Sequence, residues 1–138
     1  MTQKKENEQQ NLEGIKLKAT KPRTLLEDGA HNGIIGNIKY RASLKNDEGY
    51  QYVDVYIDVK KEGEIITLKA GFPFFLSELS TFGKFLINSG FGFVEDKEYS
   101  LKEIYNHLVE RNVSFQTSRT ETPKGTFCNI IRETIKFN

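Results

Sequence analysis

Polar and apolar residues alternate without a break through YQYVDVYIDVK (50–60). Val53, Val55, Ile57 and Val59 share one parity; Tyr50, Tyr52, Asp54, Tyr56 and Asp58 share the other. A period of two over such a run predicts a half-buried strand with the aliphatic side chains inward. The same period runs through GIIGNIKYRASL (33–44), where Gly33 and Gly36 predict a sharp bend or a bulge, and through IITLKAGF (65–72). KNDEG (45–49) and KKEGE (60–64) read as the connecting turns, so these three strands form a meander. The spacing then becomes helical. SELSTFGKFLINSG (77–90) places Leu79, Phe82, Phe85 and Leu86 on one face, with Ser77 as the N-cap and Gly90 at the stop. SLKEIYNHLVERN (100–112) opens with a capping box, Ser100 and Glu103, and presents Leu101, Ile104, Tyr105 and Leu108 together. Period two returns in VSFQTSR (113–119) and TFCNIIRETIKF (126–137), joined by a hairpin around Pro123-Lys124-Gly125.

Three strands, a helical connection and two further strands predict a mainly β chain folded as a five-stranded OB-fold-like barrel, with its helices between strands three and four. A small α+β sandwich and an SH3-like barrel are the alternatives. Residues 1–24 are rich in Gln, Asn, Glu and Lys, and only Leu12, Ile15 and Leu17 are large apolar anchors after the first methionine. Such a segment offers too little apolar surface to offset its ordering entropy, so a flexible polar tail is expected there. Pro22 punctuates it, the turn at Asp28-Gly29 leads into the first strand, and 25–138 is expected to form the domain.

Composition narrows the classes of partner only slightly. The 138 residues carry a formal net charge of +1, so bulk charge selects nothing. The distribution is more telling. Residues 1–24 hold six basic against three acidic side chains, 25–110 hold nine against fourteen, and 111–138 hold five against two. Basic ends around an acidic middle suit a charged stripe better than a uniformly basic surface. The lone Cys128, next to Phe127 and near Ile130 and Ile131, reads as an inert buried thiol, which excludes a disulfide framework within the chain. No apolar run reaches membrane-spanning length and the start carries no secretory stretch, so a cytoplasmic protein with no membrane partner is expected.

Candidate catalytic chemistry is sparse. His31 and His107 lie far apart and neither has a companion at metal-ligand spacing, so surface or capping roles are expected. Asp54 and Asp58 sit about 13 Å apart on one strand face, beyond the usual separation of a glycosidase pair. Solvation, pairing with a cross-strand lysine, or contact with the tyrosine hydroxyls is their expected use. GFGF (90–93) has no strand leading into it and no helix opening after it, as a phosphate cradle requires, so it reads as a helix stop and turn. The chain reads as a non-enzyme without cofactor or metal.

What remains is the polar face of the second strand. Single-stranded nucleic acid is held without sequence preference by aromatic faces that stack bases and by cations along the backbone track. Tyr50, Tyr52 and Tyr56 are expected to project outward, together with Lys39 and Arg41 of the first strand and Lys69 of the third. Gln116 of the fourth strand and Arg119 and Lys124 of the last hairpin are expected to extend that surface. Tyrosine also stabilises sheets without any ligand, so a purely structural use stands beside the binding one. Of the ten phenylalanines, seven fall within 71–93, and Phe74 or Phe75 is expected outside the core as a stacking or oligomer contact.

The succession LLEDGAHNGIIGNI, YVDVYIDV, LKAGFPFFLSELSTFGKFL, VSF and GTFCNII, over about residues 25–136, resembles the small OB-fold single-stranded DNA-binding proteins of bacteriophages and conjugative plasmids. The resemblance implies cooperative, sequence-non-specific coating of single-stranded DNA in phage replication or plasmid transfer, with duplex bound more weakly. The chain ends RETIKFN and so departs from the housekeeping single-strand binders, which carry a long acidic C-terminal tail. Self-association along DNA is expected, with the N-terminal tail reaching a neighbouring subunit. The competing readings are a protein-interaction module of a mobile-element replication or secretion complex and, more remotely, an enzyme acting on a small molecule or nucleotide.

Overall fold

The computed structural model describes residues 12–19, 25–45 and 48–138. The expected flexible tail and Pro22 therefore lie largely outside the described residues, as do Asn46 and Asp47 of the first turn. Within the tail, Leu12–Gly14 forms a single 3-10 turn with its apolar side chains exposed.

Five strands follow: β1 (Gly29–Lys45), β2 (Glu48–Lys61), β3 (Glu64–Pro73), β4 (Asn112–Thr122) and β5 (Gly125–Phe137). Two helices, α1 (Thr81–Asn88) and α2 (Leu101–Leu108), come between β3 and β4 in chain order. All strands join one antiparallel sheet in the order β3-β2-β1-β4-β5. β1 is shared between two partners. Its first part, Gly29–Ile34, pairs with β4, and Ile34–Lys45 pairs with β2. The register shifts between Ile35 and Asn37, so Gly36 is the bulge. Gly33 is needed for close approach: a Cβ there would stand 2.6 Å from Ile57 Cγ2 and 2.8 Å from the Asp58 carbonyl. The β2–β3 turn has both central residues at positive φ, Glu62 at 52° and Gly63 at 80°, as a tight hairpin between twisted strands requires.

The sheet is not closed into a barrel. β3 and β5 are its two edges, and across them Arg132 Nη1 donates to the Gly71 carbonyl at 2.8 Å. An open cleft of about 710 Å³ separates them, lined by Ile65–Lys69, Phe127–Asn129 and Leu25-Leu26. Ladder hydrogen bonds do not seal the ring that the strand pattern predicts.

The aliphatic parity of β2 is fully buried, as its alternation requires, and packs with Leu68, Ala70 and Phe72 of β3, Val113 and Phe115 of β4, and Ile135 of β5. Phe82, Phe85 and Leu86 of α1 and Ile104 and Leu108 of α2 complete this core. The segment ahead of the Gly29 turn joins the core through Leu26. Leu26 is core, and Arg119 Nε holds its carbonyl at 3.0 Å.

The first helix starts later than its apolar spacing predicts. Ser80, not Ser77, is the N-cap, and its Oγ accepts the Gly83 amide at 2.9 Å. The cause lies at Gly83, where a Cβ would collide with the Ser77 carbonyl. Ser77–Ser80 thus fold back over the first helical turn, and Leu79 projects into solvent at 84% exposure. The stop falls where it is expected. Gly90 takes φ 87°, and the amides of Gly90 and Phe91 reach the Ile87 and Leu86 carbonyls at 3.0 Å each. Ser100 caps α2 through the Glu103 amide at 3.1 Å, which is one half of the expected box. Among the described residues, no helix is long and apolar enough to cross a membrane.

Candidate functional site

The outward parity of β1, β2 and β3 forms one continuous face, fixed by register. Arg41 lies opposite Tyr52, Lys39 opposite Asp54, and Asn37 opposite Tyr56. On the other side of β2, Pro73 faces Tyr52, Gly71 faces Asp54, Lys69 faces Tyr56, and Thr67 faces Asp58. Along β2 this gives tyrosine, aspartate, tyrosine, aspartate, with cations supplied by both neighbours.

The cations sit on the rings. Arg41 Cζ lies 4.5 Å from the Tyr52 ring centroid, and Lys39 Nζ lies 5.4 Å from that of Tyr56. Such contacts draw a cation toward the negative face of an aromatic ring. Tyr50 is 43% exposed, whereas Tyr52 and Tyr56 are half-buried beneath their cations. The expectation of three rings bare to solvent is thus replaced, at Tyr52 and Tyr56, by two ring–cation units.

Between these units Asp54 is buried, at 2% exposure. Arg41 Nε donates to Oδ2 at 2.8 Å and Nη2 to Oδ1 at 3.2 Å, so both carboxylate oxygens are engaged by one guanidinium. A carboxylate withdrawn from water needs such a partner. The hydrogen bond that Arg41 donates to Asp54 pushes the arginine pKa further up, so this guanidinium stays charged. Gly71 leaves room beside the pair: a Cβ there would stand 3.0 Å from Asp54 Oδ1, a tight contact. The expected lysine partner is therefore replaced by an arginine, because only the planar fork spans both oxygens from the diagonal position. Asp58 is held separately, accepting from Thr67 Oγ1 at 2.6 Å.

Lys39, Arg41, Tyr50, Tyr52, Tyr56 and Lys69 are thus brought onto one face. Gln116, Arg119 and Lys124 are not part of it. Gln116 pairs with Ala30, at the far end of β1 from Arg41. Arg119 turns to the Leu26 carbonyl while its amide meets Asp28 Oδ1 at 2.8 Å, a clasp on the leading segment. Lys124 sits exposed at the tip of the β4–β5 hairpin.

Phe74 and Phe75 both lie outside the core, Phe75 at 66% exposure, and Phe74 meets the exposed ring of Tyr40 edge-on at 5.1 Å. Tyr40 shares the inward parity of β1 and lies opposite the buried Val53, yet it is itself exposed, which a strand pattern does not reveal. Both histidines have structural partners. His31 Nε2 lies 2.7 Å from the Glu27 carbonyl, and His107 Nε2 lies 3.0 Å from the Ser89 carbonyl at the end of α1. Cys128 is half-buried at the cleft instead of enclosed. No protein-family model matches the chain, and no curated protein does.

Proposed function

We propose that this chain is a single-stranded DNA-binding protein of the OB-fold type, acting as a binder without turnover. The strand order β3-β2-β1-β4-β5, with a long first strand bent at a glycine bulge, supports the OB-fold reading, as a partly open barrel of this kind has such an order. The observation that carries the function is the alternation of Tyr52 with Arg41 and Tyr56 with Lys39 on one open sheet face. Aromatic and guanidinium planes take bases of any sequence by stacking, while the remaining cations follow the phosphates. Asp54 does not spoil this face, because Arg41 covers and neutralises it.

The role in phage replication or plasmid transfer rests on the resemblance of the sequence, and coating of the strand by successive copies goes with it. A titration of labelled oligo-dT followed by anisotropy, against a duplex of equal length at two salt concentrations, tests the reading. Tighter binding of dT is expected, with log affinity falling by about 0.7 per phosphate neutralised for each unit of log salt. Equal or absent binding of the two DNAs overturns it. The exposed Phe75, Leu79 and Val94 favour a second reading, a protein-interaction module, whose binding would be indifferent to added oligonucleotide.

A further inference from the structure

Among the described residues Asp54 is the only buried charged side chain, and it lies between Tyr52 and Tyr56 on a face to which Lys39, Arg41 and Lys69 bring cations. A carboxylate there would ordinarily repel phosphate. Its geometry gives it a different use. The Nε–Nη2 edge of Arg41 is committed to the two carboxylate oxygens at 2.8 and 3.2 Å, which fixes the plane of the guanidinium. Its Cζ lies over the Tyr52 ring, 4.5 Å from the centroid, and the Arg41 side chain remains 44% exposed. Of the five N–H bonds of an arginine, two are spent on Asp54, and the other three meet no hydrogen-bond acceptor among the described residues. A long, flexible side chain on an open sheet otherwise loses rotamer entropy when it grips a ligand.

Resting on the nucleic-acid reading above, we propose that Asp54 is a positioning residue: it holds Arg41 over Tyr52 in the orientation that receives the single strand, so this acidic side chain raises affinity for a polyanion. Gly71 shares the role by leaving its side of the sheet empty beside the pair. The proposal inverts the sign that charge alone predicts. Removing a negative charge from a DNA-binding face should tighten binding if charge is all that matters.

The test is a two-residue cycle with labelled oligo-dT at fixed salt. Asp54→Asn should weaken binding about tenfold, the scale of one charge-assisted hydrogen-bonded pair. In an Arg41→Ala background the same change should instead tighten binding, because the carboxylate then has no arginine to hold. A purely structural role for Asp54 does not reverse sign in this way. Arg41→Lys keeps the charge without the fork and should weaken binding to a similar extent, which keeps the idea open to refutation if Asp54→Asn proves too unstable to assay. The 15Nε signal of Arg41 gives a measurement without DNA: it should exchange slowly in the parent and rapidly in Asp54→Asn. Binding by Asp54→Asn as tight as the parent or tighter, or parent-like binding by Arg41→Lys, overturns the positioning role. A parent protein that ignores oligo-dT overturns the nucleic-acid reading itself.

Discussion

At the scale of single residues, the tyrosines of β2 divide into unequal parts. Tyr52 and Tyr56 carry cations and are half-buried, and Tyr50 stands more open. Stacking is worth on the order of 1–3 kcal/mol per base, so replacing Tyr52 and Tyr56 together by Ala should weaken oligo-dT binding by roughly 2–4 kcal/mol. Anisotropy measures this, and an urea melt of the same variant checks that the fold survives. A loss below about 1 kcal/mol would assign these rings to sheet stability alone. That Tyr52, Tyr56, Lys39, Arg41 and Lys69 share a face was legible in the sequence, because alternation fixes parity once the strands are placed. The Arg41–Asp54 pair was not, since it depends on which residue of β1 lies opposite which residue of β2. A shift of two residues would have handed Asp54 to another cation.

Among elements, the strands were easier to read than the helix caps. β2 and β3 extend beyond their predicted ends by only a residue or two, because the buried side of a sheet enforces the pattern. For α1 the sequence offers two serines, Ser77 and Ser80, and local spacing cannot choose between them. Tertiary geometry chooses: the absent side chain of Gly83 admits the Ser77 carbonyl and leaves Ser80 to cap. Ser80→Ala should therefore cost about 1 kcal/mol or more, and Ser77→Ala distinctly less. Paired urea titrations of the two variants decide it, and an equal loss would undo the assignment of the cap. In Ser80→Ala the hydroxyl that donates within the Phe75–Ser77 turn is lost as well, so that loop should loosen with the helix.

For the whole molecule, the order of the elements was readable and the closure of the sheet was not. Period and turn chemistry report what each strand does, whereas the meeting of β3 with β5 depends on residues far apart in the chain. Gly71 and Arg132 carry no local sign of their contact. The tail belongs to this scale too. Leu12, Ile15 and Leu17 are exposed apolar side chains on a segment that precedes the domain. If that segment links copies along DNA, deleting residues 1–20 should abolish cooperative binding to long single strands while leaving affinity for a one-site oligonucleotide unchanged. Electrophoretic shifts on long and short DNA give both readouts, and cooperativity that survives the deletion removes the linking role.

An unsealed ring of strands has a consequence for solubility. Bare strand margins invite neighbouring molecules to extend the sheet indefinitely. Here the margin of β3 is blunted at one end, because Arg132 already occupies the Gly71 carbonyl and Pro73 has no amide hydrogen to give. A foreign strand finds only the short run from Ile65 to Ala70 on which to zip, and Lys69 plants a charge within it. On its β3 side the seam is thus a poor template for stacking of further copies.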